Sequence, residues 1–176
     1  MNVLELGVVG AYEVTLSPRG DERGWFARMF CQQTLAAAGL DPRINQMNNS
    51  FSATRGTLRG VHYQVGMSSE TKLVRAVSGS AFDVVVDLRP DSPTYGRHAA
   101  IVITANERNM LYVPRGCGHA ILTLEDDTEL IYMASQAYDP ESERGVRWNE
   151  SRLDIPWPIE PVVVSDKDAA WPDFAW

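Results

Sequence analysis

The chain is poor in the residues that most often announce chemistry. It has two cysteines, Cys31 and Cys117, far apart and in no C-x-x-C pair, which excludes a disulfide framework or a cysteine zinc site as its organising feature. Three histidines occur in 176 residues. No apolar run approaches the roughly 18 residues of a membrane span, and no charged stretch leads into an apolar one as a signal peptide would. A cytoplasmic protein with no membrane partner is therefore expected. Positive charge is also in deficit: the formal net charge is −7. That excludes a general binder of nucleic-acid backbones but leaves room for a local basic pocket holding a small anion. Linkers, internal repeats and low-complexity tracts are missing too. One domain over residues 1–176, long enough for a substantial core, is the expectation.

What the chain does contain is a succession of short β-like runs: YEVTLS (12–17), KLVRAVSG (72–79), AFDVVVDLR (81–89), HAAIVIT (98–104), NMLYVP (109–114), HAILTL (119–124) and ELIYMAS (129–135). Turn clusters at 78–79, 90–93, 105–108, 115–118 and 125–127 separate them. Strands at such spacing predict an all-β sandwich or barrel. AFDVVVDLR sets Phe82, Val84, Val86 and Leu88 against Ala81, Asp83, Val85 and Asp87, which predicts a half-buried strand. Only QQTLAAAGL (32–40) reads as a helix, with Leu35, Ala36 and Leu40 on one face and Gly39 near its end. Pro156, Pro158, Pro161 and Pro172 predict an irregular wrapping segment at the C-terminus.

His62 lies in RGTLRGVHYQ (55–64), in what reads as a strand. Imidazole is a poor core filler and the natural general base near neutral pH. Such a base needs a partner carboxylate, and the sequence alone leaves that acid open, as it leaves open a structural histidine under the sheet. PRGCGHA (114–120) contains P-x-G-x-x-H, which resembles the second motif of the cupin superfamily. The resemblance implies a double-stranded β-helix, or jelly roll, with short peripheral helices. Many cupins hold a metal through an H-x-H and a Glu in their first motif. Here that region reads GVHYQ, with one histidine, so no metal is expected.

Longer blocks narrow the resemblance. GDERG, QMNNSFS, GTLRGVHYQ, KLVRAVSGSAFDVVVDLRPDSPTYG, VPRGCGHA, IYMASQAYDP, WN with a following WP, and SDKD occur in this order, nearly end to end. Together they resemble the dTDP-4-dehydrorhamnose 3,5-epimerase family of cupin-fold nucleotide-sugar enzymes. The implied substrate is a nucleotide-diphosphate 4-keto-6-deoxy sugar, whose C4 ketone acidifies the C–H bonds at C3 and C5. A base removes a proton from one face, an acid returns one to the other, and neither cofactor nor metal is required. By resemblance His62 is the proton acceptor with Asp168 as its acid, and Tyr132 is the proton donor, a neutral phenol at pH 7. Lys72 would stabilise charge on the C4 oxygen. Arg59 and His119 fall at substrate-contact positions, with a structural role the alternative for His119. Arg23, Gln46, Asn48, Glu143 and Lys167 fall at further contact positions, and Tyr138 at that of the aromatic that stacks on the base. The region around Arg23 is typically exchanged between subunits in this family, so a homodimer is expected.

Some positions depart from the family pattern. Arg28 stands where a Glu is usual, which reverses the charge near the expected nucleotide pocket and would suit an acceptor such as cytosine N3 better than a thymine N–H. GHA replaces the usual A-H-G, a form that with LEDDT resembles the branch making sugars for antibiotics and unusual polysaccharides. Glu70 replaces a Gln two residues before Lys72, where a carboxylate would trim the lysine's electrophilic strength. The readings compared are thus an epimerase acting on C3 and C5 of a dTDP-linked sugar; a single-centre epimerase on a dTDP-, CDP- or GDP-linked sugar; a non-catalytic sugar-nucleotide-binding cupin; and a metal-dependent cupin.

Overall fold

The computed structural model describes residues 1–174. In chain order the elements are β1 (Asn2–Glu5), β2 (Tyr12–Thr15), β3 (Arg19–Asp21), β4 (Gly24–Phe26), α1 (Gln32–Ala37), β5 (Gln46–Ser52), β6 (Thr57–Gln64), a 3₁₀ turn at Gly66–Ser68, β7 (Lys72–Ser78), β8 (Ser80–Asp87), β9 (His98–Thr104), β10 (Met110–Val113), β11 (Cys117–Thr123), β12 (Thr128–Ala134), β13 (Glu143–Gly145), β14 (Val163–Val164) and α2 (Asp166–Ala169). They build two sheets, ordered β1-β2-β10-β7-β12-β5 and β13-β6-β11-β8-β9. The pairings within both paths are antiparallel, while β14 adds to β6 in parallel, and β3 and β4 form a separate hairpin. This is the sandwich the strand spacing predicts and the jelly roll the cupin resemblance implies.

Residues from both sheets meet between them: Val74, Ala76 and Leu130 from the first pack with Ala81, Ile103 and Ile121 from the second. The outer face of the first sheet is covered by the α1 region, where Leu35 and Leu40 pack with Leu73, Met110 and Met133. The helix is shorter than its pattern implied. It stops at Ala37, Ala36 is exposed, and Leu40 reaches the core from beyond Gly39, its N–H donating to the Leu35 carbonyl at 2.9 Å.

β8 is not the half-buried strand expected from its alternation. Both of its faces are covered. Val84, Val86 and Leu88 lie under the C-terminal segment, packed with Leu153, Ile155, Trp157 and Phe174. Burial of each such aliphatic side chain contributes about 1.5–3 kcal/mol. The opposite face carries Asp83 and Asp87, both with no exposed surface. These carboxylates are tolerated inside because each has a partner. Asp83 pairs with His119, and Asp87 accepts from Arg89, Ser92 and Thr94, which holds the PDSP turn. The proline-rich C-terminus wraps as predicted; Ala175 and Trp176 of its WPDFAW tail lie outside the described residues.

Candidate active site

Between the sheets lies a cavity of two chambers that share His62, Lys72 and Tyr132. One, of about 430 Å³, is also lined by Gln46, Asn48, Gln64, Glu70, Tyr138 and Glu143. The other, of about 370 Å³, is lined by Ser50, Arg59, His119, Lys167 and Asp168 among others. Strand register explains the grouping. On one sheet His62 of β6 sits opposite His119 of β11. On the other, Tyr132 of β12 lies between Asn48 of β5 and Val74 of β7, and Lys72 pairs with Ala134. The histidines therefore stand on one wall and the phenol and ammonium on the other.

His62 Nε2 lies 2.5 Å from Asp168 Oδ1. Asp168 is the third residue after the cap of α2, and the Ser165 hydroxyl accepts its backbone N–H at 3.1 Å. Burial raises the Asp168 carboxyl, but the hydrogen bond and charge of His62, with the Gly60 N–H and Ser165, outweigh it and hold the group below the ordinary carboxylate range. An ionised Asp168 fixes the His62 tautomer with the proton on Nε2, leaving the second ring nitrogen as a base. The glycine of LRGVHYQ has a steric cause. Gly60 has φ +123°, and a Cβ there would meet the His119 carbonyl oxygen at 2.5 Å. The close approach coincides with a register shift in β11 between His119 and Ile121, which sets the neighbouring side chains.

The second histidine has its own acid: His119 Nε2 is 2.6 Å from Asp83 Oδ1. Burial pushes the Asp83 carboxyl up, and His119 and Lys72 oppose that rise. Lys72 Nζ lies 3.2 Å from Glu70 Oε1, and Glu70 Oε2 accepts from Gln64 Nε2 at 2.7 Å. The Tyr132 phenol is raised by burial; Arg59 opposes this and Glu70 adds to it, so the group stays protonated. At the rim, Tyr138 Oη donates to Glu143 Oε2 at 2.7 Å and Lys167 Nζ reaches the same oxygen at 2.5 Å. Gln46 accepts the Tyr138 backbone N–H, and the tyrosine ring remains more than half exposed.

The fold thus gathers His62, Lys72, Tyr132, Asp168, Gln46, Asn48, Arg59, His119, Tyr138, Glu143 and Lys167 around one cavity. It does not bring Arg23 and Arg28 there within one chain. Arg23 sits at the tip of the β3–β4 hairpin, paired with its own Asp21, and Arg28 lines a separate cavity with Met1, Arg19 and Cys31. Gln64, Gln136, Ser50 and Asp83 are site residues that sequence reasoning missed. For Asp83 the signal was present, as one of two acids, with Asp87, on an otherwise largely apolar strand.

A base with an oriented carboxylate on one wall and a protonated phenol on the other suits removal of a proton from one face of a carbon and delivery to the opposite face. The family model for dTDP-4-dehydrorhamnose 3,5-epimerase matches residues 5–175. The chain belongs to the dTDP-4-dehydrorhamnose 3,5-epimerase family. It is similar to the epimerase of that name from Shigella flexneri, with 37% identity covering 96% of this chain and 93% of the relative. Among solved structures, the dTDP-4-dehydrorhamnose 3,5-epimerase of Elizabethkingia anophelis superposes with a TM-score of 0.95 at 33% identity, covering 99% of this chain and 96% of that one. A 3'-monoepimerase from Streptomyces bikiniensis, solved in complex with dTDP-quinovose, superposes at 0.86 with 36% identity, covering 96% and 85%. Family membership makes the chain an isomerase of the epimerase type.

Proposed function

We propose that this protein epimerises a dTDP-linked 4-keto-6-deoxyhexose at C3 and C5 without a cofactor. The reading rests above all on the His62–Asp168 pair, which shares a cavity with Tyr132 and Lys72 of the opposite sheet. His62 takes the proton from C3 or C5, and the electron pair moves into an enolate whose oxygen at C4 faces the Lys72 ammonium. Tyr132 returns a proton to the other face, and solvent restores the two side chains to their starting states. A positioned base of this kind is worth about 10²–10⁴ in rate. Arg59 grips the pyrophosphate, a role its guanidinium suits. Gln46, Asn48 and Tyr138 take the nucleotide, with the exposed tyrosine ring free to stack on the base. Arg23 and Arg28 serve the cavity of a second subunit, delivered by the exchanged hairpin of a homodimer. Two free thiols suit a reducing, cytoplasmic setting.

A second reading is inversion of one centre only. It is favoured by the 36% identity to the monoepimerase, equal within a point to that with the Shigella enzyme, and by Glu70 beside Lys72. Proton NMR in D2O with dTDP-4-keto-6-deoxyglucose separates the two. Loss of both H3 and H5 signals, abolished in His62→Ala, is the expected result. Loss of one signal alone supports the single-centre reading, and undiminished exchange in His62→Ala rejects the base assigned.

A further inference from the structure

The C-terminal tail does not hang free; it runs behind the proposed base. Trp171 lies edge-on to the His62 ring, with centroids 6.2 Å apart and planes at 67°. Its indole is seated directly on Gly145, which is the cross-strand neighbour of His62 on β13. A Cβ at Gly145 would fall 2.3 Å from two indole carbons. The φ of Gly145 lies outside the left-handed region, so the glycine serves space and not backbone conformation. Either side of the indole is anchored. Upstream, α2 carries Asp168, the acid of His62. Downstream, the Pro172 carbonyl accepts from the Arg147 N–H at 2.9 Å, Asp173 pairs with Arg147 at 3.1 Å, and the Phe174 N–H donates to Glu150 at 3.0 Å. The indole Nε1 is buried and has no hydrogen-bond partner among the described residues. The side chain is therefore held there for its ring and not for its polar atom.

We propose that Trp171, seated on Gly145, is a positioning residue for the His62–Asp168 pair. The indole walls the imidazole from solvent on the side away from the substrate and fixes the ring plane against the carboxylate. The tail is then part of the catalytic apparatus without touching the substrate. This inference rests on His62 being the base.

Three variants test it, with proton exchange and inversion followed well below their melting temperatures. Trp171→Ala opens the wall. Loss of alignment by about an ångström costs on the order of 100-fold in rate, so kcat is expected to fall by roughly 10- to 100-fold. KM should change less than kcat, because the indole lines neither chamber and, apart from His62, meets the substrate side through Lys167, whose Nζ lies 5.8 Å over its ring. Gly145→Ala leaves the indole in the chain but pushes it off its seat, and should reproduce the kcat loss. The double variant should be no worse than Trp171→Ala alone, since the added methyl fills vacated space. Trp171→Phe keeps an apolar ring edge and should restore most of kcat. If folded Trp171→Ala and Gly145→Ala both retain the parent kcat while His62→Ala is dead, the positioning role is wrong and the base assignment survives. If His62→Ala itself retains exchange, the base assignment fails and this inference falls with it.

Discussion

Lys72 faces carboxylates on two sides. Glu70 holds its ammonium at 3.2 Å, and its charge also acts on Asp83. The Glu70 charge reaches across to Tyr132 as well, adding to the rise that burial causes in the phenol. Glu70→Gln keeps an acceptor for Gln64 Nε2 and removes the charge. The phenol should then ionise at lower pH, so the alkaline fall in kcat should move to lower pH. The unopposed ammonium should also stabilise the enolate better, raising proton abstraction a few-fold, roughly 1 kcal/mol or less in barrier. A pH–rate profile for H5 exchange measures both effects, and an unmoved alkaline limb would show that Glu70 does not act on the donor. His62 stood out in the sequence by its type, because an imidazole is a poor core filler, whereas Lys72 and Tyr132 were legible only through the family resemblance. The His119–Asp83 pair was not legible, because the bond joins two strands and only the register reveals it.

At the scale of the element, β8 and the turn after it show what an alternation pattern can conceal. The sequence marks two faces but does not say which is covered, and the C-terminal wrap covers the one that would otherwise meet water. β5 is the mirror case: Gln46, Asn48 and Ser50 line the cavity while Met47 and Phe51 are exposed, a reversal of the usual pattern that kept it from reading as a strand. The buried Asp87 makes a stability prediction. Burial raises its carboxyl, but Arg89, Ser92 and Thr94 outweigh that and bring it down to about 2. A depressed carboxyl adds stability that is fully present above its unfolded pKa, near 4, and is lost as pH falls toward 2. That contribution is of order 2 kcal/mol, and Asp87→Asn should remove it at neutral pH. Chemical denaturation from pH 7 to pH 2.5 checks this. The gap in stability between the parent and Asp87→Asn should narrow steadily toward the acid end, and a gap that stays constant with pH would mean that the carboxylate's charge is not what holds the turn.

The whole molecule is incomplete as one chain if the family's exchanged hairpin operates here. Among the described residues β3 and β4 pair only with each other, and every residue of both is exposed, Trp25 and Phe26 included. The hairpin touches its own body where the Arg108 guanidinium lies 4.5 Å over the Trp25 ring. The exposed Met47 and Phe51 lie on β5, the edge strand of the first sheet. An edge with apolar side chains and unpaired backbone groups is a template for another chain. Stable interfaces bury about 1,200 Å² or more, which sets the size of contact such a dimer needs. Sedimentation should therefore show a dimer at micromolar concentration. Phe26→Asp puts a charge into that surface and should shift the protein toward monomer. Because Arg23 and Arg28 would then no longer reach a neighbouring cavity, KM for the nucleotide sugar should rise by roughly tenfold or more, about 1.4 kcal/mol, with a smaller change in kcat. Restoring dimerisation at high protein concentration should recover KM. A parent protein that sediments as a monomer at full activity would show that each cavity works alone and that Arg28 has no part in choosing the nucleotide.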